Sequence, residues 1–229
     1  MKNINEVCIL VQARLGSTRV PKKMLRPFAE TTLVDVLFEK LKKSSVFSLD
    51  NVVFSAWEPE LKEVAKKHGI NIFHRSKKSA CSEGNPITEI YEWHDKLPFK
   101  YVVSVSACNP LLDITTIDGF VENFVNSDKE GAFAVFKKKT YYWDKDKKPL
   151  TDWKGTTSLN TKIVDPVYEA AHCLYASRMN IISDGYWMDT NSPPNLELFV
   201  IDEIESFDID YEWQFKLGEI LYKNKELLS

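Results

Sequence analysis

The sequence predicts an α/β protein with a mixed, mostly parallel sheet, helices on both faces and a small insertion arm. In its first half, short apolar runs alternate with amphipathic helical segments, which is the pattern of parallel strand-helix units. The chain has 229 residues, 44% of them hydrophobic, which is enough for one core without disulfides or a structural metal. No linker-like stretch or internal repeat divides it, so we predict a single domain over residues 1–229.

The first half contains four predicted strands, each followed by a helix. The strands are short runs rich in Val, Ile and Phe, and the helices have apolar residues three or four positions apart. In chain order the predicted elements are strand Val7–Val11, helix 33–41 capped by Thr31 or Thr32, strand Asn51–Ala56, helix Glu58–His68, strand Ile70–Phe73, helix Pro86–Lys96, strand Tyr101–Ser106 and a helix around Ile117–Val125.

The second half begins regularly and then loses its period. A strand at Ala132–Phe136 is followed by residues 137–165, where charges mix with aromatics, and we interpret this stretch as an insertion, lid or dimerisation arm. Its aromatic residues are Tyr141, Tyr142, Trp143 and Trp153. Regular structure is predicted again at Val167–Met179, in a strand at Leu196–Ile201, and in a helix at Glu212–Tyr222 that turns Phe215, Leu217 and Ile220 inward.

Charge and composition exclude several classes of protein. The 30 Lys and Arg residues and 33 Asp and Glu residues leave a net charge of −3, which argues against a general binder of nucleic acid or of anionic membranes. No apolar run approaches the roughly 20 residues that span a bilayer. The four cysteines form no C-x-x-C pair and the N-terminus lacks the pattern of a signal peptide, so we expect a cytoplasmic protein with reduced thiols.

A basic loop follows the first strand. Residues 7–29 contain no Asp or Glu, and they carry five cations: Arg14, Arg19, Lys22, Lys23 and Arg26. Ligands of open α/β sheets bind outside the carboxyl ends of strands. Gly16 permits a tight turn, and Ser17 and Thr18 add hydroxyl donors. The loop is therefore a candidate polyphosphate site, and a solvated basic loop is the alternative.

A pair of carboxylates lies near the final helix. In an extended segment, residues two apart project to the same side, so Asp208 and Asp210 can meet one hard cation such as Mg²⁺. The alternative is two solvated charges in an acidic region.

The loop has a specific resemblance. Residues 12–25, QARLGSTRVPKKML, resemble the A-R-x-x-S-T-R-x-P-x-K signature of cytidylyltransferases that activate acidic sugars, namely the acylneuraminate synthetases, their spore-coat polysaccharide relatives and the Kdo cytidylyltransferases. These proteins usually have Gly before the last Lys, and this chain has Lys22. The resemblance implies a Rossmann-like nucleotide-diphospho-sugar transferase fold.

The resemblance also implies roles for individual residues. Arg14 and Lys23 would contact the triphosphate of CTP and act in catalysis, and FDIDYEWQF resembles a segment that holds the catalytic metal, which makes Asp208 and Asp210 catalytic ligands of Mg²⁺, with Mn²⁺ as an alternative. Cys108 stands where Kdo and spore-coat relatives have a metal-binding Asp. The implied nucleotide-binding residues are Gln12, Ala13, Arg14, Gly16, Ser17, Thr18, Arg19, Lys23, Arg75, Ser82, Asn85 and Cys108.

The acceptor-binding stretch departs most from the family pattern. Residues 166–175 read PVYEAAHCLY, with Ala171 and His172 where Asn-Gly is expected. The implied acceptor-binding residues are Asn109, Tyr168 and His172, and for His172 a core position is an equal alternative.

The implied reaction is transfer of CMP from CTP to an acidic sugar with release of pyrophosphate, by a homodimer. Arg14 and Lys23 would stabilise the leaving pyrophosphate, and the metal would polarise the α-phosphate. Three alternatives remain: a non-sugar acceptor such as a phosphonate, a metal-dependent glycosyltransferase, and a catalytically silent nucleotide-binding protein.

Overall fold

A computed structural model of the chain describes residues 1–81, 85–152, 160–183 and 196–227. Seven strands in these residues form one sheet in the order β3-β2-β1-β4-β6-β5-β7. The strands are β1 Val7–Gln12, β2 Val52–Ala56, β3 Asn71–His74, β4 Tyr101–Val105, β5 Gly131–Lys138, β6 Val167–Arg178 and β7 Leu196–Val200. The predicted α/β class is confirmed.

Helices connect most of these strands. The first, α1, is capped by Thr32, whose hydroxyl oxygen accepts a hydrogen bond from the backbone N–H of Asp35. Of the two predicted capping residues, Thr31 and Thr32, the second is therefore the N-cap. The described helices are α1 Leu33–Leu41, α2 Pro59–His68, α3 Lys77–Ala80, α4 Ile87–Ile90, α5 Ile114–Asn126, α6 Met179–Ile182 and α7 Glu212–Lys223. None of the described helices is both long and apolar enough to cross a membrane.

The strand order places a crevice next to β1. Strands β1, β2 and β3 add in one direction, and the chain then returns so that β4 pairs with β1 on the other side, parallel to it. Such a reversal leaves a crevice outside the carboxyl ends of the two strands. Of the seven strands in the described residues, β6 alone runs antiparallel to its neighbours. The loops after β1 and β4 therefore face each other across one crevice.

The core lies on both faces of the sheet. On one face Val7, Ile9 and Val11 of β1 pack in a cluster with buried side chains of α1, α2 and α5. On the other face Cys8 and Leu10 pack with Trp93, Met179 and Ile182. Every second residue of β1 therefore faces the opposite layer, which explains why this strand is apolar throughout.

The helix predicted at Pro86–Lys96 is wrong in its length. The structure has only α4 there, and the chain leaves the helical conformation at Tyr91, with φ −103° and ψ 41°. After this break Trp93 is fully buried against the β1, β2 and β4 face, where it contributes to the second core cluster. The burial of one large aromatic side chain thus overrides the local helical pattern.

The orientation predicted for the last helix is wrong for two residues. Phe215 is buried as predicted, but Leu217 is 38% exposed and Ile220 is 59% exposed. The other buried residue of α7 is Gly218, where an added Cβ would lie 3.1 Å from the ring of Phe207. The close approach of Phe207 to a small residue turns α7 so that Leu217 and Ile220 point outward.

The predicted insertion at residues 137–165 begins inside a strand. Strand β5 continues to Lys138, which pairs with Val167 at the start of β6. Beyond it Trp143 forms an isolated bridge with Pro149. Trp153 lies outside the described residues. The role of this segment as a lid or dimerisation arm stays a prediction.

Candidate active site

A cavity of about 330 Å³ opens at the carboxyl ends of β1 and β4. It brings together most of the residues that the sequence assigned to nucleotide binding, although these come from three separate stretches of the chain. The lining residues are Gln12, Ala13, Arg14, Gly16, Ser17, Thr18, Arg19, Lys23, Met24, Arg75, Ile90, Cys108 and Asp210. A larger cavity of about 650 Å³ around Tyr101 and Arg178 contains none of the predicted site residues.

Contacts to neighbouring strand ends shape the basic loop. The backbone N–H of Leu15 donates to Glu58 Oε1 at 2.7 Å, and the Arg14 guanidinium donates to the carbonyl of Ala80 at 3.4 Å. Lys22 has φ +53°, a left-handed conformation that glycine adopts more easily. The position where the resembling sequences usually have Gly thus keeps a glycine-like backbone in this chain, although it carries a lysine.

Lys23 connects this loop to the segment before α7. Its Nζ donates to the carbonyl of Ile209 at 2.5 Å and lies 3.6 Å from Asp210 Oδ1. Its side chain is only 11% exposed. Nearby, the Arg26 guanidinium forms two hydrogen bonds with the Glu212 carboxylate, at 2.6 and 2.7 Å. The basic loop and the segment that contains Asp210 are therefore held together by direct contacts.

The two carboxylates have different surroundings. Asp210 is paired with Arg19, whose guanidinium lies 2.8 Å from Oδ1. Asp208 Oδ1 is buried and has no hydrogen-bond partner among the described residues. Burial raises the pKa of Asp208, and the nearby Asp210 carboxylate raises it further. A buried carboxylate oxygen without a partner is costly unless a cation binds there, so the donor set fits a hard metal ion.

The loop after β4 supports this segment. The carbonyl of Cys108 accepts a hydrogen bond from Ile209 N–H at 3.0 Å, and the Asn109 amide donates to the Ser206 carbonyl at 2.9 Å. Asn109 is 4% exposed, so in this structure it positions the residues before Asp208, and its direct contact with a substrate stays a prediction. Burial raises the pKa of the Cys108 thiol, which therefore stays protonated at neutral pH.

Lys40 on α1 holds the other end of the same loop. Its Nζ donates to the carbonyls of Pro110 and Leu112, both at 2.6 Å. Burial lowers the pKa of Lys40 from its ordinary value of 10.5 to about 7; Lys225 lowers it too, and Asp113 and Glu205 partly oppose the shift. A lysine in such a setting makes stability depend on pH.

We expect the free energy of unfolding to rise between pH 7 and 8.5, by at most about 1.4 kcal/mol per pH unit from Lys40. Over this range the unfolded chain keeps the Lys40 proton and the folded chain loses it, so the unfolded state binds more protons and rising pH favours folding. Urea unfolding of the wild type and of Lys40→Met at several pH values measures this. The wild-type slope should exceed that of the variant, and equal slopes would contradict the assignment.

Arg75 forms the wall of the cavity away from the carboxylates. It is 3% exposed, its Nε donates to Ser79 Oγ at 2.8 Å, and its guanidinium also donates to the Ser79 carbonyl. Burial and the neighbouring Arg14 lower the pKa of Arg75 to about 10. Asn85 donates to the Lys78 and Cys81 carbonyls and does not line the cavity. Ser82 lies outside the described residues.

A bulge in β6 presents His172 beyond the end of β4. Phe133 of β5 pairs with Tyr175 of β6, and Val135 pairs with Ala170. From one pair to the other the chain runs two residues along β5 and five residues along β6, so the extra residues of β6 form a bulge. His172 lies in this bulge with φ +54°, and its Nδ1 is 2.5 Å from the Tyr175 hydroxyl. Its positive charge, when it is protonated, acts on Asp208 and favours the ionised carboxylate.

Tyr168, which the sequence also assigned to acceptor binding, lies elsewhere. It is 48% exposed, and it lines a separate cavity of about 510 Å³ with Tyr142, Leu150 and Asp165 from the irregular segment. The structure therefore brings His172 and Asp208 into one neighbourhood and leaves Tyr168 outside it.

Three residues that the sequence did not assign to the site form hydrogen bonds with its loops or strand ends. Glu58, Trp93 and Lys40 each contact a loop or strand end of the site through a single polar group. Glu58 carried a detectable signal because it follows the carboxyl end of β2, next to β1. Trp93 and Lys40 carried none, since each lies in an amphipathic segment and contacts residues far away in the sequence.

The sequence of the chain is similar to those of known proteins. A family model described as "Cytidylyltransferase" matches residues 8–227. A pseudaminic acid cytidylyltransferase of Campylobacter jejuni is 24% identical over 236 residues, which cover 97% of each chain. The spore coat polysaccharide biosynthesis protein SpsF of Bacillus subtilis is 25% identical over 125 residues, or 52% of this chain, and the match spans about half (50%) of that protein's length.

A solved structure shares the fold over nearly the whole chain. The structure of CMP:2-keto-3-deoxy-manno-octonic acid synthetase complexed with CTP superposes with a TM-score of 0.69 at 11% identity, covering 96% of this chain and 99% of the other. At this level of identity the likeness shows the fold alone. The Rossmann-like nucleotidyltransferase fold expected from the sequence is therefore confirmed.

Proposed function

The chain belongs to the cytidylyltransferase family, and from this premise we propose that it transfers CMP from CTP to an acidic sugar, a nonulosonic acid related to the sialic acids, and releases pyrophosphate. One observation carries the proposal. The basic loop after β1 and Asp210 line a single cavity, where Lys23 contacts Asp210 and the carbonyl of Ile209. Asp208 does not line this cavity, but its carboxylate is close enough to Asp210 and Lys23 for their charges to shift its pKa. Cations and a carboxylate pair at one site are what nucleotidyl transfer from a metal-bound triphosphate requires.

The proposed reaction is an in-line displacement at the α-phosphorus of CTP. The oxygen of the acceptor hydroxyl bonds to that phosphorus, and the bond to the bridging oxygen of the β-phosphate breaks, so pyrophosphate leaves and the hydroxyl proton is released. Arg14 and Lys23 would hold the triphosphate and neutralise the charge that develops on the leaving group. Arg19, which now pairs with Asp210, can turn to the phosphates because half of its side chain is exposed (50%).

Asp208 and Asp210 would hold a Mg²⁺ ion, with Mn²⁺ as the alternative. The buried, unpartnered Oδ1 of Asp208 supports this assignment. Among the described residues no group of three or more His, Cys, Asp or Glu side chains is arranged to hold a metal, so phosphate oxygens and water would complete the coordination. Bound there, the ion would supply positive charge beside the reacting phosphate.

An acidic acceptor fits the β6 bulge. Burial raises the pKa of the Tyr175 phenol, so it stays protonated and can donate to His172 Nδ1. The neutral imidazole then carries its proton on Nε2, which suits a carboxylate of the acceptor. A pseudaminic acid is a specific candidate because a relative of nearly the same length acts, by its name, on that sugar. The Ala171-His172 replacement also leaves a phosphonate as the second acceptor class.

Pyrophosphate release tests the reaction. Purified protein with Mg²⁺ is given each of the four nucleoside triphosphates together with a panel of nonulosonic acids, Kdo and small phosphonates. We expect release only with CTP and only in the presence of one acceptor class. Release with a phosphonate alone would replace the sugar in the proposal. Absence of pyrophosphate release, together with sugar transfer from an added nucleotide-sugar, would favour glycosyl transfer instead. CTP binding without turnover of any acceptor or nucleotide-sugar would favour a silent nucleotide-binding protein.

Replacing His172 by Leu should raise the KM for the acceptor about tenfold, because leucine has no donor and a hydrogen bond to a charged group contributes about 1.5 kcal/mol. The KM for CTP should not change. The matched control is His94→Leu, since His94 lines the separate cavity around Tyr101. Steady-state kinetics with each substrate varied in turn provide the measurement, and an equal effect on both KM values would contradict a role in acceptor binding.

A further inference from the structure

The side-chain amide of Gln12 is locked in one orientation at the floor of the cavity. The indole N–H of Trp93 donates to Gln12 Oε1 at 2.8 Å, and the Ser55 hydroxyl lies 3.4 Å from the same oxygen. Trp93 is fully buried. An indole nitrogen can only donate, so a flipped amide would set N–H against N–H and would break this hydrogen bond. The carbonyl side of the amide must therefore face Trp93.

The nitrogen side of the same amide is free to bind a ligand. Gln12 lines the cavity, and Nε2 has no hydrogen-bond partner among the described residues and is not one of their buried, unsatisfied atoms. It offers two N–H donors in a direction that the protein has fixed.

Gln12 belongs to the end of the cavity away from the carboxylates. It pairs with Ser55 in the β1–β2 register, and the next residue of β2, Ala56, accepts a hydrogen bond from Arg75 N–H at 3.2 Å. Gln12 and Arg75 therefore lie at neighbouring strand ends, whereas Lys23 contacts Asp210. If the triphosphate lies along the basic loop, the base of the nucleotide lies beside Gln12 and Arg75.

We propose that Gln12, held by Trp93, selects cytosine over uracil. The inference rests on the proposed use of CTP. Cytosine presents two acceptors, O2 and N3, where uracil presents the O2 acceptor and an N3–H donor. A fixed amide N–H satisfies the cytosine N3 and opposes the uracil N3–H. A glutamine free to flip would serve both bases equally, so the selectivity comes from Trp93 as much as from Gln12.

Two variants test separately the contact of Gln12 with the base and the fixing of its amide by Trp93. Gln12→Glu keeps an oxygen for the Trp93 indole and replaces the donor by an acceptor. Trp93→Phe keeps an aromatic ring in the core and removes the N–H that prevents the flip. The readout is the ratio of the dissociation constants for UTP and CTP, measured by calorimetry without an acceptor. The carboxylate added in Gln12→Glu repels the triphosphates of CTP and UTP equally, so this repulsion does not change the ratio of the two dissociation constants.

We expect the UTP-to-CTP ratio of dissociation constants to be well above one in the wild type and to fall at least tenfold in Gln12→Glu. In Trp93→Phe it should fall through tighter UTP binding, with CTP binding nearly unchanged. The control for Gln12→Glu is Asn71→Asp, which adds the same charge at the first residue of β3, at the end of the strand away from the cavity. The control for Trp93→Phe is Trp57→Phe, which changes an exposed tryptophan. Thermal unfolding verifies that each variant is folded.

The outcomes separate the two ideas. A wild type that prefers CTP, with the same preference in folded Gln12→Glu and Trp93→Phe, overturns the role of Gln12 and leaves the proposed function in place. A wild type that binds UTP as tightly as CTP, or binds neither, overturns both.

Discussion

Replacing Asp208 by Asn should lower kcat about 10³-fold, because it would remove a charge that holds the proposed metal ion beside the reacting phosphate. Asn keeps the shape of the side chain, so the loss reports the charge and not the packing. Asp208 Oδ1 is buried without a partner among the described residues, and burial raises its pKa. The positive charges of Lys23 and Arg19 oppose this rise of the pKa only in part, so the buried charge of Asp208 has a cost to stability that the proposed metal ion would offset.

The same substitution should leave the protein as stable as the wild type or more so. The introduced asparagine buries no charge, so the cost of desolvating a carboxylate disappears. Pyrophosphate release and urea unfolding of the same preparations measure the two effects. Asp202→Asn, an exposed carboxylate a few residues earlier, is the matched control and should keep full activity. A variant at 208 that retains more than a tenth of the activity would contradict a metal site there.

Replacing Lys23 by Gln should lower kcat/KM about 10²- to 10³-fold, the range observed when one donor to a developing negative charge is removed. The charge of Lys23 reaches the cavity from a fixed position, because its Nζ also donates to the Ile209 carbonyl. A glutamine keeps a donor for that carbonyl but gives no charge to the leaving pyrophosphate.

Lys22→Gln is the matched control for Lys23→Gln. It removes the same charge one residue earlier, from an exposed side chain that does not line the cavity. Its activity should remain within about twofold of the wild type, since a single exposed charge contributes little. If both variants lose activity equally, the loop acts through its total charge and the specific role of Lys23 is wrong.

The sequence predicts best what is determined locally. The strand at Val7–Val11 is found within one residue as β1 because its apolar run needs no other part of the chain to explain it. The basic loop is predicted by its own composition, and the Asp208–Asp210 pair by its own spacing. The break of the helix at Tyr91 was missed because the burial of Trp93 that accompanies it depends on the distant β1.

The remaining parts of the site depend on contacts between distant residues. Nothing near Lys40 in the sequence indicates that it donates to carbonyls of the loop after β4. The outward rotation of Leu217 on α7 depends on Phe207 passing close to Gly218, which an apolar periodicity does not register. Such features need the packed structure, because the sequence pattern alone allows either side of the helix to be buried.

The contacts of the basic loop with Ile209 and with Glu212 at the start of α7 affect the order in which the protein can form its structure. Lys23 and Arg26 bind Ile209 and Glu212 across 186 residues of chain, a separation that makes these contacts slow to form. A growing chain on the ribosome can lay down β1 to β7 before the residues that complete the cavity have emerged. Activity therefore appears only after the sheet is built, and a protease cut between β7 and α7 would silence the enzyme while leaving the sheet intact.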